Sequence, residues 1–365
     1  MTLTTDGAAA KSVGPILDPI AGTAFTGSLV HATYTRGGGW GDPVLAPIGT
    51  LDMHPAMRGL HYGHIVFEGL KAHRGVDGSV AVFRLDAHAR RLRRSARRMV
   101  MPEVPERLFR AAVDELVAAD HGALSDDPRH SMYLRPLLFG SDANLMFPPA
   151  DEYRFLMMAM IIGDYFGDHP GAIAVSVCRD QCRAAPGGTG NIKCPGNYAV
   201  AIMAQQRAAA AGFQEVVWLD PVERRWLEEL SGMNLFLVRS GNGTVEVVTP
   251  ELTDTILAGV TRDSLLTLAA EAGYRVCEER ISIDQWRDGC ASGVITEAFA
   301  AGTAAVVAPI GRVGDAAGDF TVGDGNAGPV TLALRGALID LHRGVAPDHA
   351  DWRHVVSGSP ADARR

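Results

Sequence analysis

Only three lysines, Lys11, Lys71 and Lys193, stand among the 34 basic residues of this 365-residue chain. Arginine carries nearly all the positive charge, so each lysine raises a chemical question. Lys193 closes the run Gly187-Gly188-Thr189-Gly190-Asn191-Ile192-Lys193. A glycine-rich loop with a lysine binds phosphate when it has the P-loop form, which requires Gly directly before the Lys and Ser or Thr after it. Ile192 and Cys194 occupy those places, which excludes that form. The other chemistry open to such a lysine is an imine with an aldehyde cofactor. The attacking amine must be unprotonated, and apolar neighbours favour the neutral form. A loop lysine without a role is the remaining alternative.

Other residues have spacings suited to anions. Tyr133 and Arg135 lie two apart on an expected strand, so phenol and guanidinium face one way, an arrangement suited to a carboxylate. Val260 and Thr261 open an expected helix, whose free N–H groups and dipole favour an anion. Thr261 equally fits a plain N-cap. Thr303 lies in Gly302-Thr303-Ala304, where small residues let backbone approach a ligand, or simply make a turn. Arg90, Arg91, Arg93, Arg94, Arg97 and Arg98 share one expected helix. A helix cannot aim all six at one point, so most form a solvated face. No aromatic platform accompanies them as nucleic-acid binding would require.

Patterning supplies the elements that position these groups. Strands are expected at residues 80–84, 131–139, 155–162, 172–178, 215–219, 235–238, 245–248 and 306–310. Helices are expected from Asp86, as N-cap, to about 99, then at 105–119, 198–211, 261–272, after a Ser282 cap, and at 329–342. Glu228 reads as a surface charge. The chain is mixed α and β in two parts: a flexible arm at 1–25, a smaller α/β domain at 26–165, a linker at 166–172 and a larger domain at 173–365. The net charge of −8 argues against a general nucleic-acid partner. Five irregularly spaced cysteines suggest a reduced, cytoplasmic protein, and no ligand spacing suggests a metal. The longest apolar run, 155–162, is too short to span a membrane.

Gly188-Thr189-Gly190-Asn191-Ile192-Lys193-Cys194-Pro195-Gly196-Asn197-Tyr198 resembles the lysine loop of the branched-chain amino acid aminotransferases, pyridoxal 5'-phosphate (PLP) enzymes of fold type IV. His61-Tyr62-Gly63, Val66-Phe67-Glu68-Gly69-Leu70-Lys71, Tyr133-Leu134-Arg135-Pro136-Leu137, Gly232-Met233-Asn234-Leu235-Phe236, Gly259-Val260-Thr261-Arg262 and Gly302-Thr303-Ala304-Ala305 resemble further blocks of that family in the same order. The resemblance covers roughly residues 45 to 345. It implies PLP in an interdomain cleft, a barrel-like sheet in the larger domain, and Lys193 as the cofactor lysine and catalytic base. It implies Arg91, Val260, Thr261 and Thr303 for the phosphate, Glu229 for the pyridine nitrogen and Tyr198 for the phenolic oxygen. Tyr62, Phe67, Tyr165, Tyr133, Arg135, Thr303 and Ala304 are implied for substrate.

The implied reaction is ping-pong transamination of leucine, isoleucine and valine with 2-oxoglutarate, by a homodimer or larger assembly. Pro195, Ala258, Ala300, Ala301 and Ile162 depart from the family's usual residues. Those departures leave open a specialised amino acid substrate. Other fold type IV chemistries, on D-amino acids, amines or aminodeoxychorismate, and a non-catalytic PLP-binding role are the rivals.

Overall fold

The computed structural model describes residues 3–4, 14–16, 22–166, 171–241, 243–347, 349 and 351–356. The arm expected over 1–25 and the linker over 166–172 fall largely outside these residues, as does Lys11. The chain forms two compact units. The first joins Met1–Tyr165 to Lys193–Pro195 and Asp340–Arg365, and the second joins Phe166–Ile192 to Gly196–Ile339. The second unit thus does not run unbroken to the end of the chain, as a domain over 173–365 would. The strand Arg353–Val355 pairs with Val80–Phe83, and His342 stacks on His73, which tie the last segment to the first unit.

The first unit is built on an antiparallel sheet in the order Arg353–Val355, Val80–Phe83, Leu70–Arg74, Ser131–Gly140, Glu152–Ile162, Phe25–Thr35, Gly39–Trp40. Ile65–Phe67 adds to Ser131–Gly140, and Val44–Pro47 adds to Phe25–Thr35. The helix Glu106–Asp120 turns Leu108, Phe109, Ala112, Val113, Leu116 and Val117 inward, at the spacing of one helical face. Phe109 meets Phe155 of the sheet, with ring centroids 6.2 Å apart. Burying each such ring contributes about 1.5–3 kcal/mol.

The preceding helix runs Leu85–Arg98, and Asp86 does not cap it. The cap position is Arg84, in a left-handed conformation (φ 52°) without a side-chain capping bond. Its N–H donates to the Trp352 carbonyl, and its guanidinium lies 4.3 Å from the Trp352 ring. A tertiary contact thus replaces the local cap, while Asp86 pairs with Arg110.

The second unit is organised by a mixed sheet in the order Leu227–Leu230, Glu215–Leu219, Ile173–Cys178, Val306–Gly314, Ile295–Gly302, Asn234–Gly241, Thr244–Pro250, Arg275–Glu279. A further pairing of Glu229 with Asn234 joins the first strand of this path to the sixth, so six strands close into a ring. Ile173, Val175, Val217, Leu230, Leu235, Leu237, Ala298, Ala300 and Ile310 pack in one core cluster. Ala300 and Ala301 lie opposite Leu235 and Asn234 in register, both wholly buried. The expected helix over 198–211 is two pieces, Gly196–Ala199 and Ile202–Ala210. The helix Ile283–Ser292 starts at a capping box between Ser282 and Gln285.

The helix Pro329–Arg343 begins against a buried carboxylate. Glu297 accepts the N–H groups of Val330 at 3.0 Å and Thr331 at 2.8 Å, and the Thr331 hydroxyl at 2.7 Å. Negative charge at a helix start is stabilising, more so when the donors are buried. Glu297→Gln is expected to lower stability by about 1–3 kcal/mol, seen as a lower urea midpoint at unchanged slope. An unchanged midpoint would mean that the helix start is held by other contacts.

Candidate active site

Within the first unit, Lys193 is anchored through its backbone. Its N–H donates to Ser95 Oγ at 3.1 Å, and its carbonyl accepts the Phe67 N–H at 3.1 Å. Its Nζ lies 5.0 Å from the Phe67 ring centroid. Burial removes the ammonium from water, and the charge of Arg91 opposes it further, so the pKa falls from the ordinary lysine range to about 8.

Of the six clustered arginines only Arg91 is buried. Its Nε and Nη2 donate to Glu68 at 2.6 and 2.9 Å, and His88 Nδ1 lies 2.9 Å from the same carboxylate. Arg91 and the Ser95 that holds Lys193 lie four apart on one helix, and so on one face. Glu68 is fully buried, and the Arg91 charge and hydrogen bonds from Arg91 and His88 outweigh its desolvation, holding it well below the usual carboxylate range. Sequence reasoning missed Glu68 and His88 as members of this cluster. The spacing of His88 and Arg91, one helical turn, was the available signal.

Tyr133 and Arg135 do share one face of their strand. Arg135 Nη2 donates to the Tyr133 hydroxyl at 3.3 Å, and its guanidinium lies 5.0 Å from the Phe67 ring. Arg135 Nε is buried without a hydrogen-bond partner among the described residues. Gly69 makes room for this pair, since a Cβ there would come within 1.8 Å of the Tyr133 hydroxyl. Lys193, Phe67, Arg91, Tyr133 and Arg135 thus form one cluster in the first unit.

Tyr62 and Tyr165 are both exposed. The Tyr62 hydroxyl donates to the Leu145 carbonyl at 2.7 Å, and its ring lies 5.3 Å from that of Phe147.

The second unit carries the other group. Glu229 is 3 % exposed, and its Oε1 meets Arg183 Nη2 at 2.5 Å and the Leu257 N–H at 3.2 Å. Its Oε2 accepts Asn234 Nδ2 at 3.0 Å, and the same amide donates to the Leu257 carbonyl. Val260 and Thr261 are buried in the first turn of Val260–Glu271, whose cap is Gly259 without a side-chain bond. Thr261 is therefore inside the helix rather than its cap.

Asn234 pairs in register with Ala301, which places the turn holding Thr303 and Ala304 at the same end of the sheet. Tyr198 lies half-buried in Gly196–Ala199. Asn197 braces the lysine loop by donating to the carbonyls of Thr189 at 2.7 Å and Ile192 at 2.9 Å. Pro195 directly precedes that short helix, where its missing N–H breaks no helical bond. Arg183, Asn234 and Asn197 were not singled out from sequence, because polar residues disclose their partners only once the chain is folded.

Glu228 corrects the sequence reading. It is 5 % exposed rather than on the surface, because both faces of Leu227–Leu230 are covered.

The first unit thus offers an amine whose pKa is lowered to about 8 beside a buried arginine, and the second unit offers a buried carboxyl group and a helix start. Among the described residues no cluster of His, Cys, Asp or Glu could hold a metal ion, and no helix is long and apolar enough to cross a membrane.

Residues 65–313 match the family described as Amino-transferase class IV. The branched-chain-amino-acid aminotransferase of Mycobacterium tuberculosis is 44% identical over 339 residues, covering 92% of this chain and 91% of the relative. Branched-chain-amino-acid transaminase 1 of Bacillus subtilis is 37% identical over 332 residues, covering 91% and 92%. The crystal structure of the Escherichia coli branched-chain amino acid aminotransferase superposes with a TM-score of 0.74 at 28% identity, covering 89% of this chain and 99% of that one. A T.th. branched-chain amino acid aminotransferase with pyridoxamine 5'-phosphate superposes at 0.71 and 28% identity, covering 89% and 98%. This chain belongs to the class IV aminotransferases, PLP-dependent enzymes of fold type IV, and within them to the branched-chain amino acid aminotransferase family.

Proposed function

We propose that the chain moves the amino group of L-leucine, L-isoleucine and L-valine to 2-oxoglutarate, giving the branched 2-oxo acids and glutamate in two half-reactions at one site. The observation that carries this reading is the Lys193 amine, whose pKa is brought down to about 8 beside Arg91 and Phe67. The names of the relatives support the branched side chain.

PLP, when bound, supplies an aldehyde for the lysine and a ring that accepts electrons from the substrate. Arg91, the N–H groups of Val260 and Thr261, and Thr303 would hold its phosphate. Glu229 would face the ring nitrogen and Tyr198 the phenolic oxygen. Glu229 is suited to that place because Arg183 and Asn234 hold it. Lys193 Nζ, its pKa lowered to about 8, would take the proton from the substrate Cα and deliver it to the C4′ carbon of the cofactor. Tyr133 and Arg135 receive the carboxylate of the acidic co-substrate. Phe67, Tyr62, Tyr165 and Ala304 would line the place of the side chain, a role that rests on the family's motifs.

A homodimer or larger assembly is part of this reading. Leu145, Met146 and Phe147 are exposed, Phe147 at 88 %, as apolar residues destined for a partner surface would be. The five cysteines are free, consistent with a cytoplasmic enzyme.

Absorption spectra of the protein with PLP test the central assignment. A visible band is expected that is absent from Lys193→Ala, bleached by L-leucine and restored by 2-oxoglutarate. A band independent of Lys193 would remove the lysine from its role, and one indifferent to leucine would remove the branched side chain. Covalent uptake of PLP by protein stripped of it should depend on pH. A depressed lysine pKa leaves the neutral amine populated above pH 8 and lost below it, so uptake should rise about a midpoint near 8. Arg91→Gln removes a charge that lowers this pKa and should move the midpoint up. A midpoint fixed near that of free lysine in both proteins would contradict the geometry. Arg135→Gln should raise KM for 2-oxoglutarate by about tenfold or more while sparing KM for leucine. Equal effects on both would point to a general structural role.

A further inference from the structure

Two adjacent glutamates, Glu228 and Glu229, lie on the strand Leu227–Leu230, and adjacent strand residues point to opposite faces. Only Glu229 has been given a task. Burying a second carboxyl costs stability unless its geometry is used, yet Glu228 is 5 % exposed. Its Oε1 accepts the Thr255 hydroxyl in a short hydrogen bond, and its Oε2 is buried. The Thr255 backbone carbonyl accepts Arg183 Nη2, again in a short bond, and the same nitrogen reaches the Gly190 carbonyl at 3.2 Å and Glu229 Oε1 at 2.5 Å. Thr255 is further braced by Thr253, with the two hydroxyls 2.8 Å apart. Gly190 of the lysine loop packs so closely on Thr255 that a Cβ would fall 2.6 Å from the Thr255 Cα.

We infer that Glu228 is a positioning residue for Glu229: its carboxyl fixes Thr255, Thr255 fixes Arg183, and Arg183 fixes the carboxylate assigned to the cofactor ring. The inference rests on that assignment of Glu229. Desolvation pushes the Glu228 carboxyl above the usual carboxylate range; Thr255 and Arg183 act against this shift, and Asp220 and Asp254 add to it. What ties Glu228 to Thr255 is a hydrogen bond accepted by its Oε1. The link is therefore a hydrogen bond more than a charge, and an amide should serve in its place.

The test compares the holoenzyme with Glu228→Gln, Glu228→Ala, Thr255→Val and Glu229→Gln. The measurements are the PLP dissociation constant, the position of the visible band, kcat and KM for leucine, and the thermal midpoint without PLP. Glu228→Gln is expected to stay within about twofold of wild type, because its amide oxygen still accepts from Thr255. Glu228→Ala and Thr255→Val should weaken PLP binding about tenfold, displace the band and lower kcat, with KM for leucine nearly unchanged. Wild-type PLP affinity, band and kcat in both would overturn the inference, even with a lowered thermal midpoint, because Glu228 would then be scaffold alone. Should Glu228→Ala fail to fold, Thr255→Val, which keeps the carboxyl, decides by the same measures. A Glu229→Gln enzyme with a wild-type band and kcat would overturn the assignment of Glu229 itself. A crippled Glu229→Gln beside a wild-type Thr255→Val would overturn only the role of Glu228.

Discussion

A lysine proposed to act as nucleophile and base gives up its proton more readily where burial and a neighbouring positive charge oppose the ammonium, and much of the first unit is arranged around that interaction at Lys193. The Lys193 amine lies beside the Phe67 ring, and a buried guanidinium is placed where it opposes protonation. That guanidinium would itself be intolerable without a counter-charge, which Glu68 supplies through two hydrogen bonds. Glu68 in turn is held by the Gly69 N–H and by His88. Each buried polar group thus calls for the next, and the chain of obligations spans a strand, a helix and the lysine loop.

The second unit encloses a carboxyl group, Glu229, almost wholly, and surrounds it with Arg183, Asn234 and the Leu257 N–H. Glu229 sits where the ring of six strands closes, paired in register with Asn234. The closing residue of the sheet is therefore also the residue assigned to the cofactor. Shape and charge are settled by one backbone pairing, because Asn234 closes the ring with its main chain and steadies Glu229 with its side-chain amide.

Much of this was legible in the sequence, though unevenly. Strands such as Glu215–Leu219 follow from apolar runs, and the Ser282 cap from its residue type. The family blocks pointed to Lys193 and Glu229, and no pattern of charge alone could have chosen Arg91 from its five neighbours. What separates Arg91 is a carboxylate more than twenty residues earlier, and contact at that distance has no period to read. Glu228 was misread because a charged residue is taken as exposed by default, while its strand is covered on both faces. Asp86 looked like a cap by residue type, but the cap position is Arg84, whose N–H is held by the Trp352 carbonyl from far along the chain. Each of these misreadings was overridden by a tertiary partner.

The first unit is not a continuous piece of chain. Its helices and most of its strands come from the first half, but its edge strand is Arg353–Val355 and its lysine is residue 193. A ribosome releases these parts in order, so the first unit cannot be completed until the last segment emerges. The second unit, by contrast, lies between the two ends of the first, interrupted by Lys193–Pro195. During synthesis the later unit can finish first, and the earlier one waits with an open sheet edge along Val80–Phe83. The lysine therefore enters its finished surroundings only when the whole chain exists, and a nascent fragment carries the residue without the environment that activates it.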